Sequence, residues 1–81
     1  MTYIFNKDTK IIDGFNHSSK SDITCIDLSQ CENLEKINDY AFNKCCNLET
    51  IILPKNIKLN KLKIGDYAFI GCNNRIQFKF K

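Results

Sequence analysis

Tryptophan is absent from this chain, and proline, histidine and arginine occur once each among its 81 residues. Each shortage closes off a class of function. One histidine, His17, set in a polar stretch, leaves little for a metal centre or a catalytic dyad, both of which need further groups at fixed spacing. The five cysteines (Cys25, Cys31, Cys45, Cys46 and Cys72) include no C-x-x-C pair, the spacing zinc sites use. There is no Gly-rich phosphate loop, and no apolar run approaches the roughly 18 residues of a membrane span. The start, MTYIFNKDTKIID, lacks a basic segment followed by an apolar one, so no secretory signal is expected. Reduced thiols follow, in a chain that works in the cytoplasm or inside a multi-protein particle. A surface or secreted location requires a longer precursor carrying the signal. A net charge of +3 is too mild to imply nucleic acid. The expectation is therefore no enzyme, no metal and no cofactor.

What is present is uneven. Isoleucine, lysine and asparagine dominate, all with AT-rich codons, which points to an AT-rich genome. Asn16-His17-Ser18 matches a glycosylation sequon, a triplet common by chance in an Asn-rich chain. The informative feature is repetition. Asp39, Tyr40, Ala41, Phe42, Cys45 and Asn47 return at constant offset as Asp66, Tyr67, Ala68, Phe69, Cys72 and Asn74. Periods of about 20 to 50 residues mark stacked arrays, in which no unit closes a core alone.

Within each unit the spacing has three parts. In the first, Asn38 and Gly65 occupy the position best suited to positive φ. Asp39 and Asp66 then cap one helical turn carrying Ala41–Phe42 and Ala68–Phe69. Phe42 is expected to stack on Phe69, with the alanines small so that backbones approach. In the second, Cys45 and Cys72 act as small buried hydrophobes, each followed by a turn asparagine; Cys31-Glu32-Asn33-Leu34 is an earlier copy. In the third, short β-branched and aromatic runs read as strands: residues 25–29, 50–54 and 77–81. Their alternation sends Ile26, Ile51, Phe78, Leu28, Leu53 and Phe80 inward. The architecture expected is an α/β solenoid, with parallel strands on one face and short helical turns on the other.

These residues resemble the BspA-like leucine-rich repeat family. Its pattern, roughly I-G-x-x-A-F-x-x-C-x-x-L-x-x-I-x-L-P, is met by residues 37–54 and again by 64–72, while residues 26–37 look like a more general leucine-rich unit. The resemblance covers about residues 24–81, about two and a half coils. It implies a parallel-strand solenoid that binds protein and carries no catalytic residues. Residues 1–23 fall outside it and read as an N-terminal cap: a β-hairpin from TYIF-NKD-TKII, followed by a polar loop at residues 15–22.

Two binding surfaces are expected. On the sheet face, Cys25, Thr50 and Gln77 form one outward column and Asp27, Ile52 and Lys79 another. With no unit written after it, the last strand leaves Arg75, Phe78 and Phe80 on an open end, available to a protein partner or a second copy. Lys55, Lys58, Lys61 and Lys63 read as a solvated loop. The functional expectation is a non-catalytic protein–protein interaction module, a small structural or adaptor component of a larger assembly. A domain of a cell-surface adhesin is the alternative.

Overall fold

The computed structural model describes residues 1–15, 20–58 and 60–81. The sequon, His17 and half of the polar loop (residues 16–19) lie outside the described residues. Seven short strands carry the chain: β1 (Thr2–Ile4), β2 (Ile11–Ile12), β3 (Cys25–Asp27), β4 (Lys36–Ile37), β5 (Thr50–Leu53), β6 (Lys63–Ile64) and β7 (Gln77–Phe80). They form two parallel sheets, ordered β1-β3-β5-β7 and β2-β4-β6. Each coil therefore contributes one strand to the larger sheet and, half a coil later, one to the smaller. The path is a parallel solenoid, as the spacing of the strands predicts.

The expected N-terminal hairpin does not form. β1 and β2 lie in different sheets, β1 paired in parallel with β3 and β2 with β4. Residues 2–12 thus begin the stack as a coil of their own. The reason is burial. Two isolated strands have no core to cover, whereas parallel addition sets Tyr3 beside Ile26 and Ile12 beside Ile37. Ile12, Ile26 and Ile37 are all buried.

The helical turns expected at Asp39–Phe42 and Asp66–Phe69 are also replaced. These segments are irregular turns, and the one described helix is a 3-10 turn at Lys20–Asp22. Positive φ falls on Tyr40 (59°) and Tyr67 (57°), not on Asn38 and Gly65. A right-handed helical turn cannot pass through such residues. Asp39 does not cap its own segment either: its Oδ1 accepts the Asp66 N–H of the next coil at 2.7 Å. Gly65 is needed for close approach instead. A Cβ there would sit 2.6 Å from the Asn38 carbonyl carbon and collide with Asp39 as well. Its own N–H reaches Ile37 O at 2.6 Å.

The core is a set of columns. Ile26 and Ile51 share one register position, and both are fully buried along with Leu28 and Leu53. Phe42 is fully buried and stacks on Phe69 with ring centres 5.6 Å apart and planes 8° from parallel. Ala41 and Ala68 are buried, and the Phe42 N–H reaches Ala68 O at 2.7 Å. A larger side chain at Ala68 would push those backbones apart. Phe15 extends the ring column by one coil, 5.6 Å from Phe42.

Removing the central ring should be severe. Phe42→Ala is expected to cost about 3–5 kcal/mol in urea unfolding. Small domains hold only about 5–15 kcal/mol in total, so the variant should lie near its unfolding midpoint without denaturant. A loss below about 1 kcal/mol would show that the ring column does not hold the coils together.

Candidate interaction surfaces

The larger sheet presents the outward columns in the expected register, with one rung more than the sequence shows. Thr2, Cys25, Thr50 and Gln77 align, as do Ile4, Asp27, Ile52 and Lys79. Ile4 is exposed and Ile52 half-buried, so two isoleucines flank Asp27 in one column. Burial by itself would raise the Asp27 carboxyl. The Ser29 hydroxyl and amide, together with the charge of Lys81, outweigh that effect and hold it below the usual range. The Ser29 N–H donates to Asp27 Oδ1 at 2.8 Å. The face is therefore a patch of aliphatic surface around a fixed negative charge, with Lys79 at its lower end.

Beside it runs a shallow groove of about 400 Å³ lined by Glu49, Thr50, Asn73, Arg75, Gln77 and Lys79. The groove brings together residues assigned to both expected surfaces. Arg75 is exposed and follows a small turn, its N–H donated to Asn73 Oδ1 at 2.9 Å.

At the last rung, the inward positions are left open. Phe78 is 42% exposed and Phe80 52%, although both occupy the register of fully buried Ile51 and Leu53. Ile64 is 45% exposed against none for Ile37 in the coil above. Alternation predicts the direction of these side chains correctly.

The cysteines divide by environment. Cys31 and Cys45 are fully buried, Cys25 and Cys72 half-buried, and Cys46 exposed; all five are free thiols. The Cys72 thiol donates to Phe42 O at 2.9 Å, and the Cys31 thiol to Asn6 O at 3.2 Å. Each thus satisfies a carbonyl of the coil above, a role finer than that of a small hydrophobe. Burial, with the neighbouring Cys72 second, pushes the Cys45 thiol up to about 11. Burial raises Cys31 and Cys72 as well. Among the described residues no group of three or more His, Cys, Asp or Glu is placed to hold a metal ion.

Two features escaped the sequence reading. Tyr40 and Tyr67 form an exposed stacked pair, ring centres 5.6 Å apart. Their identical placement in two repeats was a legible signal, but their outward direction depends on the positive φ. The second is a groove of about 560 Å³ whose lining includes Lys10, Glu32, Glu35, Lys58 and Lys61. It places two of the loop lysines beside carboxylates from another coil, a neighbourhood only the stacking creates.

The parallel columns, the uneven turns and the repeated Phe and Cys positions define a leucine-rich repeat solenoid. The model of the BspA type leucine rich repeat region (6 copies) matches residues 2–81, and the chain belongs to that family. The match begins with the first strand and so takes in the residues the sequence resemblance left out. No curated protein and no solved structure matches the chain. The family is generally protein-binding and typically non-catalytic. No helix of the described residues is long and apolar enough to cross a membrane.

Thiol labelling should follow this geometry. At pH 8 and without denaturant, Cys46 should react first, and Cys31 and Cys45 only on unfolding; early labelling of Cys45 would contradict the column. Stability should also depend on alkaline pH. The folded Cys45 binds its proton more tightly than the unfolded thiol, so stability is full below the ordinary thiol range. It should then decline as pH climbs from that range through about 11. Cys45→Ala should flatten that decline in pH-dependent melts.

Proposed function

We propose that the chain is a non-catalytic protein-binding module, a structural or adaptor component of a larger assembly. The outward face of the larger sheet is the contact surface. The observation that carries this reading is the column Ile4, Asp27, Ile52 and Lys79. It sets aliphatic surface around one oriented carboxylate on a flat, four-rung face. Such a mixture suits a protein surface, where a few apolar anchors give affinity and a fixed charge gives register. The thiols that bond carbonyls rather than one another support work in a reducing setting, in the cytoplasm or within a multi-protein particle.

The test is direct. Ile52→Asp should leave the melting profile close to that of the parent, because Ile52 points outward. It should weaken retention of a natural partner on the immobilised chain by about tenfold or more. Unchanged retention, with Ile4→Asp equally silent, would exclude the sheet face.

A further inference from the structure

We propose that the turn at Tyr40 is a further contact surface, and that it takes an arginine side chain of a partner protein on the Tyr40 ring. The surface is separate from the outward face of the larger sheet, because Tyr40 follows β4 of the smaller one.

Three observations converge. The first is a conformational cost with no burial in return. Tyr40 and Tyr67 hold φ of 59° and 57°, a region that a bulky side chain enters only under constraint. Strain of this kind gathers at functional sites. Yet Tyr40 is 51% exposed and Tyr67 63%, so the core gains little from either ring. Tyr40 lies in a coil with a neighbour on each side, and its exposure therefore comes from the direction of its side chain.

The second is a step in the tyrosine column. Ile12, Ile37 and Ile64 share one register position, and Phe15, Phe42 and Phe69 stack in turn. Phe42 follows Ile37 by five residues and Phe69 follows Ile64 by five, but Phe15 follows Ile12 by three. The Phe15 N–H reaches Ala41 O as the Phe42 N–H reaches Ala68 O, so the first coil lacks the counterparts of Tyr40 and Ala41. Gly14, the residue before Phe15, brings no side chain. Among the described residues Tyr67 of the next coil is the one ring that stacks on Tyr40. The tyrosine column thus begins inside the stack, at a ring that the coil above does not match.

The third is charge. Asp13 of the coil above is exposed, and its Oδ1 accepts Asn38 Nδ2 at 2.6 Å, which ties it to the strand end just ahead of Tyr40. Asp39 is exposed next to Tyr40. Its Oδ1 takes the Asp66 N–H, and among the described residues no group bonds its second oxygen. Lys36 and Lys44 lie four residues away on either side, Lys36 in register with Ile11 and not with Asp13. An exposed ring with two carboxylates beside it suits a flat cation. A guanidinium stacks on tyrosine and offers paired N–H groups to a carboxylate, whereas an ammonium acts as a compact point charge.

The experiment titrates the isotope-labelled 81-residue chain with Nα-acetyl-arginine amide at low salt and follows backbone amide shifts by NMR. Asp13, Asp39, Tyr40 and Tyr67 should shift together and saturate in the millimolar range, as one side chain allows. Nα-acetyl-lysine amide should bind about threefold or more weakly, and the uncharged citrulline analogue should leave those signals unmoved. Tyr40→Gly takes the same backbone conformation without strain and should lower the arginine affinity by about threefold or more. Asp13→Asn and Asp39→Asn keep the oxygens that Asn38 and Asp66 need, and each should weaken binding by about twofold or more, independently of the ring variant. Equal shifts with the citrulline analogue would overturn the proposal, as would shifts confined to residues away from Tyr40 or parental affinity in both aspartate variants. Free arginine binding about tenfold tighter than the blocked form would mark a small-molecule site and overturn the protein partner. Ile52→Asp should leave the titration unchanged. If the titration fails while Ile52→Asp still weakens partner retention, only the Tyr40 proposal falls and the sheet-face reading stands.

Discussion

An unbroken line of rings runs the length of the stack, and the other columns hang on it. Tyr3 and Phe5 pack on Phe15, Phe15 on Phe42, Phe42 on Phe69, and Phe69 on Phe78 with centres 6.1 Å apart. Five of the chain's six phenylalanines take part. Aromatic pairs at such distances are worth about 0.5–1.5 kcal/mol each beyond the area they bury. Their larger effect is on registry. A ring that must lie over another ring sets the height and rotation of the next coil. That placement brings Ile26 beside Ile51 and Cys72 beneath the Phe42 carbonyl.

Between the strands, polar side chains supplement the backbone bonds of the turns. The turns close on bonds three residues apart, such as Ala41 N–H to Asn38 O at 3.2 Å and Leu48 N–H to Cys45 O at 3.1 Å, and their remaining backbone groups need partners elsewhere. Many of these come from an adjacent coil. Asn38 Nδ2 donates to Asp13, Asn47 Nδ2 to Ser21 O, and Lys20 Nζ to Asn43 O at 3.0 Å, while the Cys31 and Cys72 thiols meet carbonyls of the coil above. These bonds give Asn47, Cys31 and Cys72 a role between coils beyond filling space. They also explain how a chain with short strands and almost no helix keeps its irregular backbone satisfied.

A stack of this kind is asymmetric by construction. Each coil has one neighbour above and one below, so the terminal faces are of a different nature from the sides. Here Tyr3 and Phe5 pack on Phe15 at the first face. The lateral sheet face is a third kind of surface, set by outward residues that play no part in the core. Protein binding fits the lateral face. The sheet face offers a pattern of side chains with one oriented carboxylate among them.

The repeat period, the inward columns Ile26–Ile51 and Leu28–Leu53, the Phe42–Phe69 stack and the outward pairing of Asp27 with Ile52 were all readable in the order of residues. The reason is that a coil repeating the same side chains at the same offsets has only one way to keep them dry. The first coil was not readable, because Thr2–Ile4 and Phe15 lack the Asp-Tyr-Ala-Phe signature and match only in the positions they occupy. The conformation of Tyr40 and Tyr67 was also hidden. A left-handed tyrosine is locally unfavourable, and contacts with the next coil hold the turn in place: the Asp66 N–H on Asp39, the Tyr40 N–H on Asp66 O, the Tyr40–Tyr67 stack and the tight packing at Gly65. Side-chain chemistry along the chain determined which residues repeat and face inward. Contacts between coils alone decided how the turns close and which side chains meet across them, because those depend on neighbours about 25 residues away.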